Sequence, residues 1–376
     1  MNARKIQKVS LAVAVAATLP ILGACSSGKS AAPAGSGSAK ANPGGAKGAK
    51  IAFLMPDQAS TRYEQHDKPG FVAELKKVCP DCTPLYNNAS GDASKQQQQF
   101  GAALTQGAKV IVMDPVDSTA AASLVSQAQA KGVKVIAYDR PIPKAKPDYY
   151  VSFNNEEIGK SIAKSLVADL KAKKVPTTGG NGVLEVNGSP TDAAAGLIKK
   201  GVHAGLAASG YKTLAEYDTP EWDPSKAQTW VAGQNSRFGK KIVGIVAAND
   251  GTGGGAIAAL KAGSVNPLPP VTGNDATTAG LQLIIAGDQF NTISKPSEIV
   301  AGAAADIAVN LLNGKPVTAV GAGKLTEVFG TKTMLFVPKV ITQKNLKTEI
   351  IDTKIATAAQ LCTGVYKAGC TKLGIS

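Results

Sequence analysis

The sequence predicts an α/β protein built from two doubly wound, parallel-sheet lobes. Short continuous apolar runs rich in β-branched residues alternate with helix-compatible stretches of ten or more residues, a pattern typical of βαβ units. This alternation runs once from about residue 50 and restarts after the amphipathic stretch 158–174. The chain has 376 residues, which is more than one hydrophobic core usually holds.

The first series of alternating elements predicts one lobe. A helix-compatible stretch to about Val78, the amphipathic SKQQQQFGAALTQG (94–107) and STAAASLVSQAQAKG separate its apolar runs. The predicted strands of this series are IAFLMPD (51–57), TPLYNNA, AKVIVMDP and VKVIAYDR (133–140). We expect this lobe to comprise residues 50–155 together with 292–320.

The second series predicts the other lobe. Its strands are separated by a helix to about Ser209, a helix near 224–236 and the helical GGAIAALKAG. The predicted strands are GVLEVNG, KTLAEYD, KIVGIVAAND and PVTGND. We expect this lobe to comprise residues 156–291 together with 321–350, and residues 351–376 to form a C-terminal tail.

Polar residues follow the predicted strands at the point where each strand ends. They are Asp57, Asp139-Arg140, Gly188-Ser189, Asn249-Asp250 and Asn274-Asp275. In open α/β sheets, ligands bind beyond the carboxyl ends of the strands. Two lobes that face each other therefore predict a ligand-binding cleft at these positions.

One motif points to a different ligand. Residues 251–256 (GTGGGA) fit the pattern G-x-G-x-x-G/A between a strand and a helix, and Asp275 follows about 20 residues later, as in dinucleotide-binding proteins. However, Asn249 and Asp250 precede the glycines, and the leader places the protein where nicotinamide cofactors are scarce. We therefore interpret the glycines as allowing a tight turn and close packing, and we predict no cofactor.

The N-terminus has the features of an export signal. Arg4, Lys5 and Lys8 precede the apolar stretch 11–24, which has the length of a signal-peptide core and is too short to span a bilayer. Residues 22–25 (LGAC) resemble the bacterial lipobox. We therefore expect residues 1–24 to be removed and Cys25 to be diacylated. The alternative is ordinary signal-peptide cleavage beside an incidental cysteine. Residues 25–49 are rich in Ser, Gly, Ala, Pro and Lys, as in a flexible tether. These features predict an extracytoplasmic protein anchored to the outer face of the cell membrane.

The formal net charge of +14 does not indicate a nucleic-acid partner. Seven of the 41 Lys and Arg lie in residues 1–50, which contain no acid, so the rest of the chain has 34 basic residues against 27 acidic ones. Half of the excess charge is therefore in the leader and tether, and we predict no nucleic-acid partner. The two histidines, His66 and His203, leave little room for His-based catalysis or a His-rich metal site, and we predict no metal.

Four cysteines remain after Cys25, and an even number outside the cytosol favours disulfides. Three pairings are open, of which the nearest-neighbour pairing is the simplest. The spacing of the second pair is too wide for a zinc knuckle, and we rank a redox role for CPDC below a structural one. The disulfide candidates are Cys79, Cys82, Cys362 and Cys370.

Several segments together resemble one protein family. They are AYDR (137–140), VSFNNEEIG (151–159), GSPTD (188–192), AANDGTGGGAI (247–257), TGNDATTAGLQLIIAGDQFNTISKP (272–296) and IAVNLLNGKP (307–316). In order and spacing they are similar to the sugar-binding periplasmic proteins of ABC transporters, within the ribose/xylose type and most like its xylose-binding members. The resemblance covers about residues 50–345. It implies two α/β lobes joined by three crossing strands that close on one monosaccharide.

The resemblance also implies the binding residues. Charged and amide side chains hydrogen-bond sugar hydroxyls, and an aromatic ring covers the C–H face of the sugar. The residues that match sugar-binding positions of the family are Arg62, Tyr63, Asp139, Arg140, Asp192, Trp222, Asn249, Asp275 and Lys295. After GSPTD the xylose-binding members carry two asparagines, whereas this sequence has Ala193 and Ala194, which leaves the sugar's identity open.

The resemblance implies a monomeric binding protein, rather than an enzyme, that delivers a monosaccharide to a permease. A sugar-sensing module that presents its ligand state to a membrane receptor or kinase is the alternative, because it uses the same fold and the same site. An enzyme would need paired carboxylates or an activated nucleophile. The matched positions of Asp139 and Asp275 instead assign both carboxylates to sugar hydroxyls.

Overall fold

The computed structural model describes residues 45–375. The signal peptide predicted for residues 1–24, the lipidation site Cys25 and most of the tether lie outside the described residues. The strands of the described part are β1 (Lys50–Met55), β2 (Thr83–Asn88), β3 (Ala108–Met113), β4 (Lys134–Tyr138), β5 (Tyr149–Phe153), β6 (Gly182–Asn187), β7 (Lys212–Asp218), β8 (Ile242–Ala247), β9 (Thr292–Ser294), β10 (Lys324–Val328), β11 (Thr331–Phe336) and β12 (Lys339–Ile341).

Helices follow most of the strands, as the alternating pattern predicted. They are α1 (Lys68–Val78), α2 (Ala93–Thr105), α3 (Ala121–Ala130), α4 (Asn155–Ala172), α5 (Ala193–Leu206), α6 (Pro224–Phe238), α7 (Asp250–Ala262), α8 (Thr278–Ala286), α9 (Ser297–Leu312), α10 (Ala358–Leu361) and α11 (Lys367–Lys372). Between residues 45 and 375, no helix combines the length and apolarity that a membrane crossing requires.

The first sheet has the order β10-β11-β5-β4-β3-β1-β2. Strands β1 to β5 are parallel. Apart from a lysine near the start of each, the central strands β1, β3 and β4 are buried on both faces, which explains their continuous apolar sequences. Hairpin β10–β11 extends this sheet because β11 pairs in parallel with β5. The assignment of all of residues 321–350 to the second lobe is therefore wrong for these two strands.

The second sheet consists of β7, β6 and β8, which are also parallel. Its central strand β6 is buried throughout, and the segment predicted as a further strand contributes a single bridge, from Val271 to Ile245. Helices α4 and α5 pack closely on one face: a Cβ atom on Gly159 would lie 1.9 Å from the Ile198 carbonyl oxygen, so only glycine fits there. The prediction of an α/β fold with two parallel-sheet lobes is confirmed.

The chain passes between the two sheets three times, as the resemblance implied. It leaves the first sheet after β5, returns between β9 and α9, and leaves again between β11 and β12. The first and third crossings are joined because the backbone N–H of Asn154 donates to the carbonyl of Phe336. Strands β9 and β12 pair with each other in a small antiparallel sheet beside these crossings.

Residues 351–375 pack against the rest of the fold. They bury Leu361, Cys370 and Ile375 in a cluster with Ile284 and Ile285 of α8. The sulfur atoms of Cys362 and Cys370 are bonded within this segment, and those of Cys79 and Cys82 are bonded at the end of α1, which is the nearest-neighbour pairing.

Candidate functional site

A cavity lies where the carboxyl ends of the strands of both sheets meet. All nine residues that the sequence matched to sugar-binding positions line it. The lining residues are Ser60, Arg62, Tyr63, Asp139, Arg140, Asn155, Asp192, Ala194, Ile198, Trp222, Asn249, Asn274, Asp275 and Lys295. Segments far apart in sequence therefore converge because strands β1 to β5 and β6 to β8 are parallel within their sheets and direct the same strand end to the cleft.

Arg140 follows β4 and is buried among carboxylates. Its Nη2 lies 2.8 Å from Asp57 Oδ2, and its Nη1 donates to the carbonyl of Pro115. Its Nε lies 3.1 Å from Asp192 Oδ2 and 3.3 Å from Asp114 Oδ1, at ion-pair distance without hydrogen-bond alignment. The guanidinium is thereby held in one position from several sides.

Arg62 lies beside Tyr63 in a π-helical turn that precedes α1. Its guanidinium lies 4.6 Å from the centre of the Tyr63 ring, and its two terminal nitrogens donate to Asp67 and Asp139. The Tyr63 hydroxyl in turn accepts a hydrogen bond from Arg140 at 3.3 Å. The ring of Tyr63 therefore connects the two arginines of the site.

Asp139 has a left-handed backbone conformation, with φ of 55°. Such a conformation costs about 1–3 kcal/mol in a residue other than glycine and persists only where its surroundings hold it. Here Tyr150 and Ser152 of β5 both donate side-chain hydrogen bonds to the Asp139 carbonyl, at 2.8 and 2.9 Å. Trp222 and Asp275 also have positive φ, of 56° and 99°. Three cavity residues are thus held in strained conformations.

Trp222 lies in a turn between β7 and α6 and is only 7% exposed. Its indole Nε1 donates to Asp192 Oδ2 at 3.0 Å. The ring lies directly against Gly188, since a Cβ atom there would be 2.1 Å from the indole. The glycine after β6 therefore makes room for the aromatic wall of the cavity.

Asn249 caps the N-terminus of α7. Its Oδ1 accepts from the backbone N–H and the hydroxyl of Thr252, at 2.8 and 2.9 Å. The glycines of the GTGGGA motif lie in the first turns of α7, and a Cβ on Gly255 would be 2.2 Å from the carbonyl oxygen of Pro224. The glycines of the motif are therefore explained by the close packing of α7 on α6.

Lys295 and Asp275 form an ion pair at the second crossing of the chain, with Nζ 2.8 Å from Oδ1. Behind Asp275 lies Asp250, which accepts hydrogen bonds from Gln289 and Thr292. Burial and the negative charge of Asp275 raise the pKa of Asp250 to about 7.

The buried carboxylates differ in their acidity. Burial raises the pKa of Asp192 and raises that of Asp114 well above its ordinary value, although Arg140 opposes both shifts. Burial alone would also raise the pKa of Asp139, but the positive charges of Arg62, Lys295 and Arg140 lower it overall. The pKa of Asp139 is therefore shifted downward, whereas the pKa values of its neighbours Asp192 and Asp114 are shifted upward.

Sequence reasoning missed part of the site. Ser60, Asn155 and Ile198 also line the cavity, while Asp67 and Asp114 support the arginines from behind. Asp114 follows β3 directly, so the strand-end rule that selected Asp57 could also have selected Asp114. Nothing in the local pattern distinguished Asn155 or Ile198 from other helical residues.

The sequence pattern of the periplasmic binding protein domain family matches residues 51–316. The chain belongs to the periplasmic binding protein family. It is 35% identical over 274 residues to the D-xylose-binding periplasmic protein of Escherichia coli, a match that covers 72% of this chain and 80% of the relative. The resemblance to the ribose/xylose type is therefore confirmed.

Two further comparisons agree. A multiple sugar-binding periplasmic receptor of Rhizobium radiobacter is 28% identical to this chain, and the match covers 85% of this chain and 91% of the receptor. The crystal structure of an ABC transporter solute-binding protein from Clostridium phytofermentans with bound β-D-glucose superposes with a TM-score of 0.74 at 23% identity, over 83% of this chain and 99% of the other. These relatives of this periplasmic binding protein are named as sugar-binding or solute-binding proteins and not as enzymes.

Proposed function

We propose that this protein captures a monosaccharide, xylose or a similar aldose, in the cavity between its two sheets. One observation carries the proposal: the nine residues matched to sugar-binding positions, scattered from Arg62 to Lys295, line a single cavity. The sugar-binding names of the relatives support the same class of ligand.

The chemistry of the wall fits a pyranose. Each sugar hydroxyl both donates and accepts, and the cavity offers donors on Arg62, Arg140 and Lys295 next to acceptors on Asp139 and Asp275. Hydrogen bonds to charged groups contribute about 1.5–3 kcal/mol each. Trp222 supplies an apolar plane for the C–H face of the ring.

The second-sheet side of the cavity determines which sugar fits. Ala194 lies on this wall next to Ile198, at a position where xylose-binding relatives carry an asparagine. A methyl group there offers no hydrogen bond and occupies less space than an amide. We therefore propose a ligand that presents a bulkier or less polar edge to α5, or a water molecule bridging that edge.

We further propose the division predicted from the sequence, with lobes of 50–155 plus 292–320 and of 156–291 plus 321–350, except that β10–β11 is reassigned to the first lobe. The protein would be an extracytoplasmic lipoprotein, anchored through Cys25 and delivering sugar to an ABC permease as a monomer. A sensing module for a membrane receptor is the second candidate, favoured by the receptor among the relatives.

A thermal-shift screen over pentoses and hexoses tests the proposal. A sugar at 100 times its Kd should stabilise the protein by about 2.7 kcal/mol, and calorimetry on each positive sugar should give one site per chain. The absence of any stabilising pentose or hexose would contradict the proposal. The neighbouring genes distinguish an importer, with a permease and an ATPase, from a sensor.

A further inference from the structure

A second group of chemically active side chains lies outside the sugar cavity. Glu185 of β6, Glu216 of β7 and His203 of α5 each place one ligand atom within 4.8 Å of the others. His203 Nε2 lies 3.1 Å from both Glu185 Oε2 and Glu216 Oε2. None of the three lines the cavity.

The position of Glu185 distinguishes this group from an ordinary surface ion pair. Its side chain is only 1% exposed, on the central strand of the second sheet. Its Oε1 accepts a hydrogen bond from Thr213, whereas its Oε2 is buried and accepts no hydrogen bond from any described residue. A buried carboxylate oxygen without a hydrogen bond is costly, and this one points at the shared centre.

We propose that Glu185, His203 and Glu216 form a zinc site. One imidazole nitrogen and two carboxylate oxygens are ligands that zinc accepts, and water completes the fourth position when three side chains bind. Ligands about 2.0–2.2 Å from one tetrahedral ion lie about 3.4 Å from each other, close to the 3.1 Å separations here. Ca²⁺ and Mg²⁺ prefer oxygen ligands alone.

The surroundings support this geometry. Lys199 Nζ lies 3.2 Å from Glu216 Oε1, which leaves Oε2 of that carboxylate facing the centre. His203 is about half exposed at 49%, so an ion can enter from solvent. A bound ion would join helix α5 to strands β6 and β7 of the second sheet, which this helix covers.

Zinc chloride titrated into tag-free protein by calorimetry tests the proposal, with thermal unfolding as a second measurement. We expect one zinc per chain, a zinc-dependent rise in Tm, and no comparable rise with Ca²⁺ or Mg²⁺. His203→Ala and Glu216→Gln should each weaken zinc binding at least tenfold, with sugar binding unchanged. Both residues are substantially exposed, so these variants should fold.

His66→Ala is the matched control, because His66 faces a single carboxylate, that of Glu298. This variant should bind zinc with wild-type affinity. Equal zinc affinity in wild type and His203→Ala, or an equal loss in His66→Ala, would overturn the site. Since sugar binding is measured separately, failure of the zinc site and failure of the proposed sugar function give different results.

Discussion

Arg140 Nε lies 3.1 Å from Asp192 Oδ2, so the strand ends of the first and second sheets are linked by an ion pair inside the cavity. The link continues at the cleft edge, where the Ser118 backbone N–H donates to the Thr191 carbonyl and the Ser118 hydroxyl accepts from the Ala193 N–H. Arg140 and Asp192 therefore connect the two sheets from within the cavity that both residues line.

The first prediction concerns this arginine. Arg140→Ala should weaken sugar binding by at least about 1.5 kcal/mol, which is more than tenfold in Kd, because sugar hydroxyls and three carboxylates lose a charged partner. Calorimetry with the sugar found in the screen measures the change. Arg237→Ala is the control, since Arg237 packs on Phe238 away from the cavity. Unchanged affinity in Arg140→Ala would place the site elsewhere.

The second prediction concerns the space under the indole. Gly188→Ala should weaken sugar binding at least tenfold and shift the fluorescence of Trp222, because the new methyl group would displace the ring. Trp230→Phe in both proteins isolates the Trp222 signal. Gly196→Ala is the matched control on α5, where no atom lies within 4 Å of the added carbon. Normal affinity in Gly188→Ala would show that the indole position does not matter.

The third prediction concerns Asp250, whose pKa of about 7 exceeds the ordinary value of about 3.9. Between these values the folded state keeps a proton that the unfolded state has lost. This contribution to stability is therefore complete below about pH 4 and disappears as the pH rises through 7. In the wild type, the free energy of unfolding should fall with rising pH by up to about 1.4 kcal/mol per pH unit because of this group, and Asp250→Asn should remove that contribution. Denaturant unfolding at pH 4.5, 5.5 and 6.5 measures the change. An equal pH dependence of the unfolding free energy in wild type and Asp250→Asn would contradict a raised pKa for Asp250.

The fourth prediction concerns closure. Saturating sugar should reduce the radius of gyration in small-angle scattering, because contacts from both sheets exist only when the cleft is closed. Trp222→Ala should weaken this response by removing a second-sheet contact. Trp230→Ala is the control, since Trp230 stacks on Tyr217 outside the cavity. Identical profiles with and without a sugar known to bind would indicate a rigid pocket.

The fifth prediction concerns anchoring. Cys25→Ala should leave the precursor unprocessed or release the protein from the membrane, because two acyl chains on this cysteine provide the proposed anchor. Detergent partitioning and precursor size measure the two outcomes. Cys79→Ala, which removes a cysteine from the folded part instead, should remain in the membrane fraction. Full membrane association of correctly processed Cys25→Ala protein would exclude the lipid anchor.

Arg62, Trp222 and Lys295 were predicted only from the family resemblance. The layers, and the cavity residues that directly follow strands, were predicted from short-range patterns. A buried parallel strand requires a continuous apolar run, and the polar residue after it reaches the cleft, as with Asp139 and Asn249. The partner of hairpin β10–β11 could not be predicted, since β10 is an exposed edge strand whose sequence is compatible with either sheet. Asp67 was missed because its role is to face Arg62 and Tyr138 from within a helical turn, where no local pattern marks it.

The order of elements along the chain has a consequence for biogenesis. The first sheet needs β11, and α9 packs on α1, so this part of the fold is complete only after residue 336 has been synthesised. The second sheet is formed by one continuous segment, from β6 to β8, and all its strands are available about ninety residues earlier in synthesis. The sheet whose strands emerge first is therefore the sheet that is completed last.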